Sequence, residues 1–201
     1  MIILDVPQLS TQWFEAKAGL PSAGSFDQLV TSKGEPSKQR QKYLYQLAGE
    51  TISGSKAETF QSWAMQRGTE MEAEARQSFE FIHGVELKQV GLVYPDEQKK
   101  YACSPDGLLE DAGFEMKCPL IHTHVGYLLD NKLPTDYVQQ VQGGMLVTGF
   151  DKWYFLSYFP GLPPLILLIE RDEKFIEKLK AELETFCNDL AITVKKLRDL
   201  S

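Results

Sequence analysis

The chain has 201 residues, of which 43% are hydrophobic and 24% are charged, and its net charge is −7. These values are ordinary for a globular protein that buries its core without disulfides or a structural metal. The negative charge excludes a uniformly basic, nucleic-acid-binding surface. It does not exclude a nuclease, which needs carboxylates for metals and positive charge only where phosphates pass.

The first part of the chain is predicted to be helical. Ser10 is a typical helix N-cap, and Gly19, Gly54 and Gly84 each stand where a helical pattern ends. Between the second and third helices, the segment 32–42 is expected to be a mobile loop that is rich in basic residues. The predicted helices cover 10–19 and 26–32, a third ends near 54, and the fourth spans 58–81.

After residue 84 the pattern changes to the two-residue period of strands. The sequence predicts strands at 85–94 and 101–102, a hairpin at 108–117 that turns at 110–113, and strands at 153–159 and 165–170. Helices are predicted at 121–129, 135–147 and 172–200. We therefore expect an α/β fold with a central mixed sheet of about five strands flanked by helices. A single domain is predicted, with an N-terminal helical region (1–57) and a core with the C-terminal helix (58–201).

The three cysteines, Cys103, Cys118 and Cys187, contain no CxxC pair, which favours reduced thiols in a cytoplasmic protein. The first ten residues lack the basic and apolar regions of a signal peptide. The longest apolar run, 162–169, is interrupted by two prolines and is too short to span a membrane. We therefore expect a cytoplasmic protein without a membrane segment.

The informative part of the sequence surrounds a predicted β-hairpin. On an extended strand, Glu115 and Lys117 point to one side, while Phe114 and Met116 point into the core. The turn of the hairpin brings Asp106 back toward Glu115. Two carboxylates can bind Mg²⁺, or alternatively Mn²⁺, and a lysine beside them can orient an attacking water. These residues suit the hydrolysis of a phosphodiester.

Five motifs place this cluster in a wider context: Arg67-Gly68-x-x-x-Glu72, Ser104-Pro105-Asp106-Gly107, Glu115-Met116-Lys117-Cys118-Pro119, Tyr137-x-x-Gln140-x-Gln142 and Trp153-Tyr154-Phe155. The pattern Pro105-Asp106 followed by Glu115-x-Lys117 resembles the PD-(D/E)xK nuclease motif. The full set resembles, in order and spacing, the phage lambda exonuclease (YqaJ-like viral recombinase) family. The resemblance extends from about Trp13 into the C-terminal helix.

This resemblance implies the PD-(D/E)xK nuclease core and a processive, Mg²⁺-dependent 5′→3′ exonuclease. Such an enzyme acts on double-stranded DNA ends, releases 5′-mononucleotides and leaves a 3′ overhang. Members of the family are similar in forming a homotrimer around DNA. They work beside a single-strand annealing protein in phage recombination, which would take place in the host cytoplasm.

The resemblance also implies roles for individual residues at the reaction centre. Asp106 and Glu115 would bind the metal, with the main-chain carbonyl of Met116 as a third ligand. Lys117 would position or activate water. Glu72, on the long helix, would bind a second metal or its water shell.

Further roles concern DNA binding. Gln140 would lie against the catalytic lysine or the scissile phosphate. Lys17 stands where the family has an arginine that binds the terminal 5′ phosphate, and a lysine lacks the bidentate geometry of arginine. Ser22 or Ser25 would add donors to the same phosphate. Contacts to the DNA backbone are expected from the basic segment, namely Lys33, Lys38, Arg40 and Lys42.

Two other functions fit the residues. The same core could belong to a structure-specific or restriction-type endonuclease, or to a non-catalytic DNA-binding scaffold for recombination. The intact carboxylate and lysine set favours an enzyme, and the N-terminal phosphate pocket favours an exonuclease. His122 and His124 are two positions apart, so a helix would point them in different directions and we expect no shared metal site.

Overall fold

In a computed structural model of the protein, residues 1–55 and 63–200 are described. The α-helices of this part are α1 (Thr11–Lys17), α2 (Arg40–Ser53), α3 (Trp63–His83), α4 (Ile121–Asp130), α5 (Val138–Thr148) and α6 (Glu173–Arg198). Short 3-10 helices cover Ala23–Gln28 and Thr135–Tyr137. The strands are β1 (Ile2–Leu4), β2 (Leu92–Tyr94), β3 (Gly107–Leu108), β4 (Gly113–Lys117), β5 (Lys152–Ser157) and β6 (Leu165–Glu170).

The predicted mixed sheet is present with four strands instead of about five, and two further strands form a separate sheet. Strands β3, β4, β5 and β6 form a sheet in that order, while β1 and β2 pair separately. Strands β4 and β5 are parallel, and the other neighbouring pairs are antiparallel. Parallel neighbours need a crossover connection, and here α4 and α5 lie between β4 and β5 in the chain. The α/β fold expected from the sequence is confirmed.

Two glycines, one in β4 and one in α5, pack directly against the ring of Trp153. A Cβ atom added at Gly113 of β4 would lie 2.2 Å from the ring of Trp153, and one at Gly144 of α5 would lie 2.5 Å from it. Larger residues at either glycine would push α5 away from the sheet. Gln140, one helical turn before Gly144, is thereby brought to the sheet edge.

The C-terminal helix, which was predicted at 172–200, packs on the main core. Asp172 caps α6 by accepting a hydrogen bond from the backbone N–H of Phe175 at 3.1 Å. The ring of Phe186 stacks on Tyr43 of α2, with centroids 5.5 Å apart. The buried face of α6 has helical spacing and consists of Phe175, Ile176, Leu179, Leu183, Phe186, Leu190 and Val194.

Several element boundaries differ from the prediction. The strand expected at 85–94 is reduced to β2 because the segment changes partner: Lys88 bridges to Leu108, whereas Leu92–Tyr94 pairs with β1. Strand β1 itself was not predicted. The helix expected at 26–32 is a 3-10 helix at Ala23–Gln28. The predicted start of the long helix at residue 58 lies outside the described residues.

Among the described residues, every helix is too short or too polar to cross a bilayer. The three cysteines are free thiols, with Cys103 buried and Cys118 and Cys187 partly buried.

Candidate active site

The hairpin brings Asp106, Glu115 and Lys117 together, as the strand pattern predicted. The backbone N–H of Asp106 donates to the carbonyl of Phe114 at 3.1 Å. Its carboxylate accepts a hydrogen bond from the N–H of Met116 at 2.7 Å. On the same side of β4, the Lys117 ammonium forms an ion pair with Oε1 of Glu115. Phe114 and Met116 are buried in a core cluster on the other side of the strand.

Gln140 completes this arrangement from α5. Its Nε2 donates to Oε1 of Glu115 at 2.6 Å. The same oxygen receives the Lys117 ammonium, so the orientation of the Glu115 carboxyl group is fixed from two sides. The ammonium also lies 5.2 Å from the centroid of the Tyr137 ring, within cation–π range. The structure thus brings Gln140 to the carboxylate rather than to the lysine.

The two carboxyl groups of the centre disfavour each other's ionisation. Burial and then repulsion from Asp106 raise the pKa of Glu115 to about 8. Burial also raises the pKa of Asp106, whose carboxyl group is close enough to Glu115 to share a hydrogen bond. Burial opposes the charge of Lys117, but the two carboxylates hold the pKa of its ammonium above the ordinary range. Without a cation, burial and mutual repulsion therefore oppose the ionisation of both carboxyl groups together.

Glu72 approaches the centre from α3. Burial raises the pKa of its carboxyl group, and the charge of Asp106 raises it further. The hydroxyl group of Thr69, one turn earlier, donates a hydrogen bond to Glu72 and opposes this rise. The carboxyl group of Glu72 therefore lies within electrostatic reach of Asp106, as the predicted role requires.

These residues fit a hard divalent cation by the chemistry of their donors. Mg²⁺ is commonly bound by one or two carboxylates together with water and substrate phosphates. The contact between the carboxyl groups of Asp106 and Glu115 is the kind of like-charge pair that a cation relieves. Within the described ranges, no three His, Cys, Asp or Glu side chains converge tightly enough to form a complete metal site. Water and substrate oxygens would therefore have to complete the coordination.

Lys17 lies beside the centre because Trp13 holds it there. The Lys17 ammonium lies 4.3 Å from the centroid of the Trp13 ring, which is the contact expected four residues apart on a helix. The Trp13 indole N–H donates to the carbonyl of Gly91 and to the hydroxyl of Ser104, each at 3.1 Å. Gly19 follows with φ +70° and packs against Thr51, where a Cβ atom would be 2.1 Å from its hydroxyl oxygen. The Trp-to-Gly spacing is therefore structural and fixes the lysine.

A small pocket connects Lys17 with the carboxylate centre. Its volume is about 50 Å³. Lys17, Gly24, Ser104, Glu115 and Gln140 contribute to its walls. The sequence interpretation gave no role to Gly24 or Ser104, although Ser104 directly precedes the Pro-Asp motif and its position was a usable signal.

The two serines proposed for the phosphate are directed differently. Ser22 is 3% exposed, and its backbone bridges to Ala102. Ser25 is partly buried, and its side chain makes a hydrogen bond with Tyr43. Neither serine lines the small pocket, whereas Ala23 and Gly24 between them do. The turn that carries both serines therefore reaches the pocket through its middle residues.

The basic segment is ordered by local hydrogen bonds, so the expected mobile loop is instead a defined turn. The N–H of Thr31 donates to the carbonyl of Glu35 at 2.7 Å, and the Lys178 ammonium of α6 donates to the Glu35 carboxylate at 3.0 Å. The guanidinium of Arg40 forms ion pairs with Glu182 and Asp189 of α6, so its charge is already balanced inside the protein. The exposed cations of the segment are Lys33, Lys38 and Lys42.

His124 is a buried residue of the core whose ring is held by hydrogen bonds. Its ring is fully buried, and the two ring nitrogens make hydrogen bonds with the hydroxyl of Ser157 at 2.7 Å and the carbonyl of Pro163 at 3.1 Å. His122 is exposed on another face of α4.

Comparisons with known proteins agree with the motifs. The sequence profile of the YqaJ-like viral recombinase domain matches residues 12–151. The crystal structure of the alkaline exonuclease LHK-Exo from Laribacter hongkongensis superposes with a TM-score of 0.86 and 29% identity, over 94% of this chain and 97% of that chain. A structure of LHK-Exo in complex with dAMP gives the same values. No protein with a curated description matches the chain significantly.

A more distant structure agrees in fold alone. The phage-related exonuclease from Haemophilus somnus 129PT superposes with a TM-score of 0.70, at 16% identity, over 90% of this chain and 96% of that chain.

Proposed function

Because the chain belongs to the YqaJ-like viral recombinase domain family, we propose that it is a Mg²⁺-dependent exonuclease for double-stranded DNA. It hydrolyses the 5′-ended strand in the 5′→3′ direction, releases 5′-mononucleotides and leaves a 3′ overhang. The observation that carries this proposal is the contact of Asp106, Glu115, Lys117 and Gln140 beside the pocket of Lys17. A phosphodiester-cleaving centre therefore adjoins a cationic pocket that can take a terminal phosphate.

The pocket supports an enzyme that acts on ends. The Lys17 ammonium, held over the Trp13 ring, offers a positive charge to a 5′ phosphate. Ala23 and Gly24 line the same space, and Gly24, which has no side chain, lets a phosphate oxygen approach its main chain. Because Glu115 lines this pocket as well, a terminal phosphate bound there would place the first internucleotide linkage near the carboxylates.

The reaction begins with the orientation of water. We assign this task to the Lys117 ammonium, which is fixed by Glu115 and lies over the Tyr137 ring. Its positive charge favours the hydroxide form of the water that attacks the phosphorus atom. Gln140 holds Glu115 in place during the reaction through its bond to Oε1.

Asp106, Glu115 and the carbonyl of Met116 would hold the Mg²⁺ ion, and Glu72 would hold a second ion or its water shell. Mg²⁺, with Mn²⁺ as a substitute, supplies polarisation of the scissile phosphate and charge stabilisation for the leaving 3′ oxygen. Asp106 is held for this role by the N–H of Met116. The chain's own contribution is thus a prearranged set of oxygen donors at the sheet edge.

The similarity to LHK-Exo supports the type of product. That relative is an alkaline exonuclease, and dAMP, which is present in one of its structures, has the chemistry of a released 5′-mononucleotide. We also propose a homotrimer that encircles DNA, processive digestion, and action with a single-strand annealing protein in the host cytoplasm. A single domain, in which α2 and α6 share the main core, is part of the same proposal.

Lys33, Lys38 and Lys42 are the proposed contacts of the DNA backbone. All three side chains are exposed on or beside the start of α2. Arg40 is left out because Glu182 and Asp189 already bind its guanidinium.

The direct test uses linear duplex DNA that carries a label at one 5′ end, with either a 5′-phosphate or a 5′-hydroxyl, in the presence of Mg²⁺. We expect release of labelled mononucleotide, faster from the phosphorylated end, and no cutting of covalently closed circular DNA. Cutting of the circle would indicate an endonuclease. Binding of DNA without release of nucleotides, in both the wild type and Lys117→Ala, would indicate a recombination scaffold.

A further inference from the structure

A larger cleft lies on the other side of the carboxylate pair. Its volume is about 570 Å³. Thr69, Glu72 and Arg76 from α3 line it, together with the segment 5–9. Asp106 lines this cleft, whereas Glu115 lines the small pocket of Lys17. The two carboxyl groups therefore separate the cleft from the pocket.

Arg76 is the notable residue of the cleft. Its Nε atom is buried and has no hydrogen-bond partner among the described residues. Arg76 takes part in none of the ion pairs found in the described part of the chain. Its charge nevertheless acts on both Asp106 and Glu72. A guanidinium with a buried and unsatisfied donor is costly, unless a ligand supplies the acceptor.

The segment 5–9 of the cleft is held in place by Gln8. Its Nε2 donates to the carbonyl of Val90 at 2.9 Å and to that of Pro105 at 2.8 Å, directly before Asp106. The next residue, Leu9, has a φ of +65°, which is unfavourable for a leucine, and is 59% exposed at the lip of the cleft. Backbone strain of this kind is maintained where the surrounding contacts fix the chain. The cleft is therefore preformed beside the reaction centre.

We propose that the guanidinium of Arg76 binds the DNA phosphodiester that follows the scissile linkage on its 3′ side. This inference rests on the proposed exonuclease function, in which the 5′ phosphate lies near Lys17 and the scissile phosphate lies at Asp106 and Glu115. The strand must then leave on the far side of the carboxyl pair, which is the side of the cleft. Arg76 supplies positive charge on this path, and Leu9 supplies an apolar lip for the sugar and base.

The position of Arg76 on α3 fits this role. It follows Glu72 by four residues, so both side chains lie on the same face of the helix. Four residues advance about 6 Å along a helix, which leaves room for a cation at Glu72 and a phosphate at Arg76. An arginine is suited to this contact because its planar guanidinium can donate two parallel hydrogen bonds to a phosphate.

A purely structural role predicts a different outcome, which an experiment can separate. If Arg76 only offsets the charges of Glu72 and Asp106, its loss weakens the site to the same extent whatever the charge of the neighbouring phosphate. If it binds that phosphate, the protein change and the phosphate change remove the same interaction. The two losses of binding free energy are then not additive, which a double-mutant cycle detects.

The experiment measures binding of 5′-phosphorylated duplex DNA by fluorescence anisotropy, with Ca²⁺ in place of Mg²⁺ and a check that no nucleotide is released. In the DNA, one phosphodiester at a time is replaced by an uncharged methylphosphonate, starting at the 5′ end. For the wild type, we expect neutralisation of the second linkage to weaken binding about tenfold, the usual effect of losing one charged hydrogen bond. Arg76→Ala should weaken binding of unmodified DNA by a similar factor. The same variant should bind the modified DNA as tightly as it binds the unmodified DNA.

The controls keep the result unambiguous. Arg198→Ala removes the same charge from a separate groove at the end of α6, and it should leave the second-linkage effect unchanged. Arg76→Lys keeps a positive charge and should restore part of the binding. If Arg76→Ala does not fold, the scan with the wild type still decides, because absence of a loss at the second linkage overturns the proposal. Multiplication of the two losses to about a hundredfold also overturns it.

Failure of this proposal differs from failure of the proposed function. Release of mononucleotides by the wild type in Mg²⁺, without coupling between Arg76 and the second linkage, would reject the Arg76 contact alone. Coupling in the binding assay, without any release in Mg²⁺, would reject the exonuclease and keep the phosphate contact.

Discussion

Replacement of Glu115 by Gln is expected to stabilise the metal-free protein at alkaline pH. The pKa of Glu115 lies near 8 instead of the ordinary 4.5 because burial and the neighbouring Asp106 disfavour its charge. Below pH 4.5 the carboxyl group is protonated in both the folded and the unfolded chain. Between pH 4.5 and about 8, the carboxyl group ionises in the unfolded chain before it ionises in the folded chain. The free energy of unfolding therefore falls across this range and stays at its lower value above it.

The size of the effect follows from the same value. A pKa difference of one corresponds to about 1.4 kcal/mol, so the full difference for Glu115 is on the order of 5 kcal/mol. This is an upper bound, because a buried carboxyl group that ionises can draw in water and so recover part of its hydration. Glu115→Gln keeps the shape of the side chain and removes its titration. The variant should therefore lack this component of the pH dependence.

The measurement is urea unfolding of both proteins in EDTA at several pH values between 5 and 9. The free energy of unfolding of the wild type, taken relative to Glu115→Gln, should fall by several kcal/mol over that range. Added Mg²⁺ should restore stability to the wild type at pH 8 and have little effect on the variant. A difference that stays constant with pH, or that grows in favour of the wild type in EDTA, would refute the electrostatic description of the centre.

Three further outcomes are expected. Asp106→Ala and Lys117→Ala should each lower the rate of DNA cleavage by about 10²–10⁴-fold while the circular dichroism spectrum stays unchanged; near-normal activity of either variant would show that the centre lies elsewhere. Lys17→Ala should lower the ratio of the release rates from 5′-phosphorylated and 5′-hydroxyl ends about tenfold. An unchanged ratio would exclude Lys17 from the phosphate pocket. Gly144→Ala should lower the unfolding free energy by about 1–3 kcal/mol because its Cβ would lie 2.5 Å from the ring of Trp153, and a thermal melt that does not change would contradict the close packing of α5.

Local sequence signals predicted much of this protein because their causes are local. Ser10 does cap α1 by accepting from the N–H of Trp13, and Gly54 does end α2 in a left-handed conformation. The two-residue period of β4 placed Glu115 and Lys117 on one side and Met116 on the other. Such features depend on neighbours within a few positions, so a single sequence contains the required information.

Features that depend on distant partners were predicted poorly. Strand β1 has three residues and exists only through its pairing with β2, about ninety positions later. Strand β2 is shorter than its hydrophobic pattern suggested, because Lys88 pairs with Leu108 and leaves the ladder. Short strands carry weak periodicity, and their partners are chosen by the whole fold.

The reaction centre shows the same division. The sequence by itself determined the residue types, through the spacing of Asp106, Glu115 and Lys117 and the family motifs around them. Only the tertiary structure decided that Arg40 is neutralised by α6 and that the buried Nε of Arg76, which lines the cleft, has no hydrogen-bond partner among the described residues. The reason is physical: a side chain's partners and burial depend on the packing of elements that are far apart in the chain, and that packing sets its charge state and its availability to a substrate.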